Sequence, residues 1–183
     1  SIVNGLALLY RDQELYSKAE PLFLRALSIA EKTLGPEHLD TAVQNTNLAS
    51  LYYLQELYSK AEPLYLRAVS IFERSTLGND NIYLDRALIP LALNYSSQGL
   101  YEKAIPLILQ AQKIQITFIQ KESPYLPLTE REAFVETSQR GYFRSFDFIS
   151  KDYSGIELAL YARLNRHGLL EEIESRQAKL SKL

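Results

Sequence analysis

No cysteine occurs anywhere in the 183 residues, which removes disulfides, zinc-thiolate centres and thiol nucleophiles at once. The same absence leaves the compartment undetermined, although a reducing cytoplasm is compatible with it. Methionine and tryptophan are missing as well. A chain without Met that opens in mid-pattern at Ser1-Ile2-Val3 is expected to be a piece of a longer protein. No run approaches the roughly 18 consecutive apolar residues of a membrane span, and the N-terminus lacks the basic-then-apolar plan of a secretory signal. Glycine is scarce, with 7 in all, and none falls in a phosphate-binding loop pattern. Neither sign of charge is in surplus: 20 basic and 22 acidic residues leave a net charge of -2. Without a broad basic field nucleic acid is not an expected partner, though a local basic patch stays open. The expectation is a cytoplasmic protein with no membrane partner.

What the chain does have is apolar residues, 46% of the total, and a repeat. The run Gln13 to Leu22 recurs unchanged as Gln55 to Leu64, an offset of 42 residues, and a third copy from Leu100 to Leu107 follows at an offset of 43. The extra residue falls between Ile71 and Leu77, where a turn would absorb it. Inside each unit the apolar positions recur with a helical period rather than alternating. Val3, Leu6, Ala7 and Tyr10 make one stripe, and Ala19, Leu22, Phe23, Ala26 and Ala30 make another. Gly35-Pro36 and Gly78-Asn79 supply stops between units. Each unit is therefore read as two amphipathic helices. Pro21, Pro63 and Pro106 place the start of each second helix within a turn upstream, because an early position loses little by lacking an N–H. Ser17 with Glu20, and Ser59 with Glu62, have the spacing of capping boxes.

Asn47-Leu48-Ala49-Ser50-Leu51-Tyr52, followed by Tyr58-Ser59-Lys60-Ala61-Glu62-Pro63-Leu64-Tyr65-Leu66-Arg67-Ala68, resembles a tetratricopeptide repeat of the long-period kind found in kinesin light chains and many bacterial proteins. The family's Leu, small residue and Tyr match Leu48, Ala49 and Tyr52. Its small, aromatic and small positions match Ala61, Tyr65 and Ala68. Repeat one offers Leu6, Ala7, Tyr10, Ala19, Phe23 and Ala26; repeat three offers Leu91, Ala92, Tyr95, Ala104, Ile108 and Ala111. The family's Trp is absent from all three. This resemblance implies an all-α fold, an α-solenoid of three helix-turn-helix repeats plus a C-terminal helical extension. Residues 1-119 would form the array (about 1-38, 39-80 and 81-119), 120-128 a linker marked by Pro124 and Pro127, and 129-183 the extension.

In the extension, Thr129 with Glu132 and Ser154 with Glu157 have capping-box spacing. Apolar residues recur at helical intervals through Phe134, Val135, Tyr142, Phe146 and Ile149, then Ile156, Leu160 and Leu164, then Leu169, Ile173 and Leu180. Thr129-Glu130-Arg131-Glu132 and the run from Ala159 to Glu172 resemble the helical stretch that joins tetratricopeptide arrays to caspase-like CHAT domains in bacterial proteins. That family usually has Lys where His167 stands. On this resemblance a protease-like domain would lie downstream of Leu183.

Catalysis finds little support. His38 and His167 lie far apart, neither has a second ligand at helical spacing, and both read as structural or solvent-facing. Glu171, Glu172 and Glu174 could gather a cation, but Glu172 with Arg176 reads better as a solvated i, i+4 pair. No cofactor and no metal site is expected, and the chain is not read as an enzyme. On a helical wheel of about 100° per residue, the face opposite the core stripe of each first helix carries Asn4, Leu8, Arg11 and Asp12; then Val43, Thr46, Asn47, Ser50, Tyr53 and Leu54; then Arg86, Ile89, Leu93 and Ser97. The resemblance makes this face the concave groove that holds peptides. The expected peptide-binding residues are Asn4, Leu8, Arg11, Asn47, Ser50, Tyr53, Arg86, Leu93 and Ser97. Asn47 matches the family's groove Asn, while Gly5 and Pro90 occupy that place in the other repeats and interrupt an Asn ladder. Arg11 and Arg86 alone make a poor clamp for a terminal carboxylate, so an extended protein or peptide ligand is expected. The plain alternative is a face that is only exposed, or covered by the extension. The functional expectation is an interaction scaffold, the sensor or adaptor part of a larger CHAT-type protein. A kinesin light chain-like cargo adaptor and an enzyme subunit are the alternatives, and self-association stays open.

Overall fold

The computed structural model describes residues 2–75 and 83–122. Among the described residues there are six helices and no strand: α1 (Ile2–Asp12), α2 (Tyr16–Thr33), α3 (Leu39–Leu54), α4 (Tyr58–Arg74), α5 (Asp85–Ser96) and α6 (Tyr101–Glu122). α1 packs on α2, α2 on α3, α3 on α4 and α4 on α5, while α3 also touches α5. This is an all-α solenoid of helix pairs. α6 runs on to Glu122, past residue 119 where the repeat pattern was expected to end. The chain divides into two compact units, Ser1–Ala111 and Gln112–Leu183. The Gly78-Asn79 stop, the Pro124 and Pro127 boundary, the extension 129-183, His167 and the Glu171, Glu172, Glu174 cluster all lie outside the described residues.

The small positions are where the helices meet. Ala7, Ala49 and Ala92 on the first helices, and Ala19, Ala61, Ala104, Ala26, Ala68 and Ala111 on the second, are all buried. Phe23, Tyr65 and Ile108 are buried beside them, filling the space that the short side chains leave. The expected core stripe of α1 departs from the pattern, Val3 and Tyr10 being half-buried and Leu6 exposed. Leu6 is exposed although its counterparts Leu48 and Leu91 are buried, because α1 has no helix on its outer side among the described residues.

All three first helices end in one turn. The N–H groups of Leu15, Leu57 and Leu100 donate to the carbonyls of Tyr10, Tyr52 and Tyr95, each at 2.9 Å. Those of Glu14, Glu56 and Gly99 donate to Arg11, Tyr53 and Ser96, again at 2.9 Å. This nested pair of bonds is the Schellman arrangement, which needs a left-handed residue just past the helix. Gly99 takes that conformation with φ 73°, but Glu14 and Glu56 are forced into it with φ 59° and 60°. The next helix then starts at once. Leu15 and Leu57 stand at the N-cap positions with no side-chain capping bond, so the expected capping boxes do not form. Ser17 and Ser59 already lie inside α2 and α4, and Glu20 and Glu62 are engaged elsewhere. Pro21 is the sixth residue of α2, a little deeper than the single turn expected. His38 does have a structural role: it caps α3, its Nδ1 accepting from the Asp40 N–H at 3.1 Å.

Two outcomes test this account. Ala61→Leu should destabilise the chain by about 1–3 kcal/mol through overpacking, read as a lower denaturant midpoint, and an unchanged midpoint would place the helix crossing elsewhere. Glu56→Gly should act oppositely. Relief of a left-handed L-residue, about 1–2 kcal/mol, exceeds the added flexibility of glycine in the unfolded chain, about 0.5–1 kcal/mol. Thermal melting should show the net gain.

Candidate binding groove

The residues expected to form the groove occupy one row along α1, α3 and α5. Asn4, Leu8 and Arg11 on α1, Asn47, Ser50 and Tyr53 on α3, and Leu93 and Ser97 at α5 are half-buried, whereas Arg86 is exposed. The partial burial has a cause that the helical wheel misses: consecutive first helices bond to each other across this face. Asn47 Nδ2 donates to Asn4 Oδ1 at 3.1 Å. One repeat further on, Tyr53 Oη and Ser97 Oγ share a hydrogen bond of 3.1 Å. From the second helix of the same repeat, Tyr65 Oη donates to Ser50 Oγ at 3.1 Å, and Ser50 Oγ donates to the Thr46 carbonyl at 2.9 Å. The Tyr53 ring also leans on Tyr58, centroids 5.7 Å apart and tilted by 54°.

The missing Asn of repeat one is thus replaced from the neighbouring position. Gly5 aligns with Asn47 and leaves open space around its Cα, and Asn4 reaches across instead. The two cations are both engaged: Arg11 bonds Asp12 at 2.7 Å and 2.9 Å, and the Arg86 guanidinium sits 5.8 Å from the Tyr83 ring centroid. Leu8 and Leu93 add apolar surface to the row. Asn47 and Tyr53 are therefore not independent of the fold, because each ties two repeats together.

A second set of links was not legible as such in the sequence. Tyr52 Oη donates to Glu20 Oε1 and Tyr95 Oη donates to Glu62 Oε1, both at 2.8 Å. The ammonium of Lys60 stands 5.4 Å from the Tyr52 ring centroid and that of Lys103 5.0 Å from the Tyr95 centroid. Burial, then the hydrogen bond and negative charge of the glutamate, push both hydroxyls up to about 12 from the ordinary 10.0. Burial likewise pushes Tyr65 up to about 12. The signal available in the sequence was a Lys eight positions after each Tyr, at Tyr10 and Lys18, Tyr52 and Lys60, and Tyr95 and Lys103. On the outer sides of the second helices, Arg67 pairs with Glu31 at 2.7 Å, and Gln110 Nε2 donates to Glu73 at 3.4 Å.

Among the described residues no three His, Asp or Glu side chains gather as a metal site, and no described helix is long and apolar enough to cross a membrane. Stacked helix pairs with a polar and apolar row across them define an α-helical repeat protein. The tetratricopeptide repeat profile matches residues 1–74 and 42–116, and the chain belongs to that family. Its repeats generally mediate protein–protein interaction on a fold that is typically a non-catalytic scaffold. Among solved structures, the chain is similar to the nearly identical TPR-like repeats of a Podosopora anserina kinesin light chain candidate. The two are 19% identical with a TM-score of 0.56, and the likeness covers 99% of this chain and 96% of that one. A single-residue variant of the same protein matches at 19% identity and TM-score 0.56, over 99% and 95%. At this identity the likeness is one of fold. No curated protein matches the chain.

The tyrosine–glutamate links predict an alkaline weakness. Ionisation is harder in the folded chain than in the unfolded one, so the contribution of these hydroxyls is intact below about pH 10 and is lost as pH climbs toward about 12. Denaturant midpoints followed across that range should fall less steeply for the Tyr52→Phe/Tyr95→Phe double variant than for the parent. Equal slopes would deny the links any part in stability.

Proposed function

We propose that the chain is a protein-interaction scaffold that holds an extended polypeptide along the first-helix row, with Asn4, Leu8, Arg11, Asn47, Ser50, Tyr53, Arg86, Leu93 and Ser97 as its contacts. The observation that carries this reading is the Asn4–Asn47 pair. The shared bond consumes one N–H of Asn47 and one lone pair of Asn4, so the two amides together keep further donors and acceptors, the complement of a peptide group. Tyr53, Leu8 and Leu93 add apolar surface beside that polar point. Arg11 is tied to Asp12 and Arg86 lies over Tyr83, which favours backbone recognition over a clamp for a terminal carboxylate.

In this reading the array needs no cofactor and performs no catalysis, binds no nucleic acid and works in the cytoplasm. Residues 1-119, with the last turn of α6 carried on to Glu122, form the array, the residues from there to 128 a linker and 129-183 a helical extension. The resemblance of that extension to the stretch preceding caspase-like CHAT domains supports a sensor or adaptor role beside such a domain downstream. The fold likeness to a kinesin light chain candidate supports the alternative of a cargo adaptor.

The test starts from peptides selected by display against the full chain. Asn47→Ala and Tyr53→Ala should each weaken the selected peptides, roughly thirtyfold for the better anchor, which corresponds to about 2 kcal/mol. Leu66→Ala, on the exposed side of α4, should change affinity little. Binding is measured well below the melting point of each variant, because both groove residues also join repeats. Peptides that ignore the two groove variants and respond to Leu66→Ala would move the site to the second helices.

A further inference from the structure

Each turn from a first to a second helix exposes one leucine. Leu15, Leu57 and Leu100 occupy equivalent positions of the three repeats and are 38%, 39% and 40% exposed, and Leu54 at 47% adds to the row in the middle one. The turns stand side by side along one edge of the array. Tyr52 Oη reaches Glu20 across the first two repeats, and across the next two Asn94 Nδ2 donates to the carbonyl of Tyr58, the residue after Leu57, at 3.4 Å. Beside each leucine is a carboxylate that nothing else uses: among the described residues the side chains of Glu14, Glu56 and Glu102 are exposed and have no ion-pair or hydrogen-bond partner. The cations of the same turns lie against rings instead, with Lys18, Lys60 and Lys103 at 5.8, 5.4 and 5.0 Å from the centroids of Tyr10, Tyr52 and Tyr95. Across residues 13–20, 55–62 and 98–105, five glutamates stand against three lysines, so the edge is negative.

The carboxylate reaches each turn by two different routes. Glu14 and Glu56 are held at φ 59° and 60°, the left-handed conformation that Gly99 takes in the third repeat, and an L-residue there is disfavoured by about 1–2 kcal/mol. The third turn has its glycine, and its carboxylate comes from Glu102, where the other two repeats have Ser17 and Ser59. Copying of one repeat into the next does not account for that exchange.

We propose that this edge is a docking surface for a basic amphipathic helix of another protein, its apolar stripe on Leu15, Leu57 and Leu100 and its lysines or arginines on Glu14, Glu56 and Glu102. A helix meets both demands at once, because residues three and four apart share a stripe and cations can flank it on either side. The sign of the charge argues against nucleic acid and against an anionic membrane as occupants. None of the first-helix row is used, so the edge and the groove are separate surfaces.

The probe is a synthetic helix of about 20 residues, about 30 Å long, with a leucine stripe flanked by lysines; its counterpart has glutamate for every lysine. Fluorescence anisotropy follows binding to the full chain. The lysine helix should bind, less tightly as salt rises, and the glutamate helix at least about tenfold more weakly. Glu14→Gln with Glu56→Gln, which removes charge and keeps the size of the side chains, should weaken the lysine helix about tenfold, and Leu57→Ala about threefold. Glu56→Gly is expected to raise the melting temperature and still weaken the helix about threefold, a loss that unfolding cannot explain. Asn47→Ala should leave this helix bound as before, while peptides selected for the groove should ignore the double glutamine variant, so failure at one surface is read apart from failure at the other. Equal affinity of the lysine helix for the parent and the double glutamine variant overturns the proposal, as does equal binding of the two helices. It is also overturned if Asn47→Ala releases the lysine helix, which then sits in the groove, or if phosphatidylserine vesicles capture the chain and Leu57→Ala abolishes the capture.

Discussion

Close helix crossing is the constraint on which the rest depends. Ala7, Ala49 and Ala92 on the first helices, and Ala19, Ala61, Ala104, Ala26, Ala68 and Ala111 on the second, are all buried, and side chains this short let paired helices cross closely. Nothing larger fits without moving a helix. The aromatic or branched residue beside each crossing, Phe23, Tyr65 or Ile108, then has one place to go. Its bulk sets the spacing that the short side chains permit. Repetition follows, because each helix pair leaves one apolar side that only a neighbouring pair can cover.

On that apolar frame, polar links join one repeat to the next at three levels. Along the first helices run Asn4 with Asn47 and Tyr53 with Ser97; at the first-to-second helix contact, Glu20 with Tyr52 and Glu62 with Tyr95; along the second helices, Glu31 with Arg67 and Glu73 with Gln110. In the proposed reading the first level matters most for binding. The side chains that would meet a partner also hold adjacent repeats in place, so the row is pre-organised rather than loose, and less of its side-chain freedom remains to be lost on binding. On that reading the same coupling means that stability and affinity cannot be altered independently at Asn47 or Tyr53.

The turns show the fold overriding local preference. A Schellman turn favours glycine at its left-handed position, and only the third repeat has one, at Gly99. In the first two, Glu14 and Glu56 adopt the same conformation because the helices on either side are held by packing. Local strain is accepted where tertiary contacts outweigh it.

The helical period, the offsets of 42 and 43 residues and the alanine positions were enough to state the fold class, the pairing of helices and most of the core. These depend on which residues can share a helix face, and that is written in the spacing of residues along one helix. What lies between repeats was not readable in this way. Glu20 and Glu62 looked like capping partners for Ser17 and Ser59, yet they are drawn to Tyr52 and Tyr95 more than 30 positions away. Asn4 was placed on the groove face but not as the partner of Asn47, and Leu6 looked buried but is exposed because no described helix covers it. Each of these depends on distances between side chains of different repeats. Such distances follow from how helix pairs stack, and the period of a single helix carries no record of them.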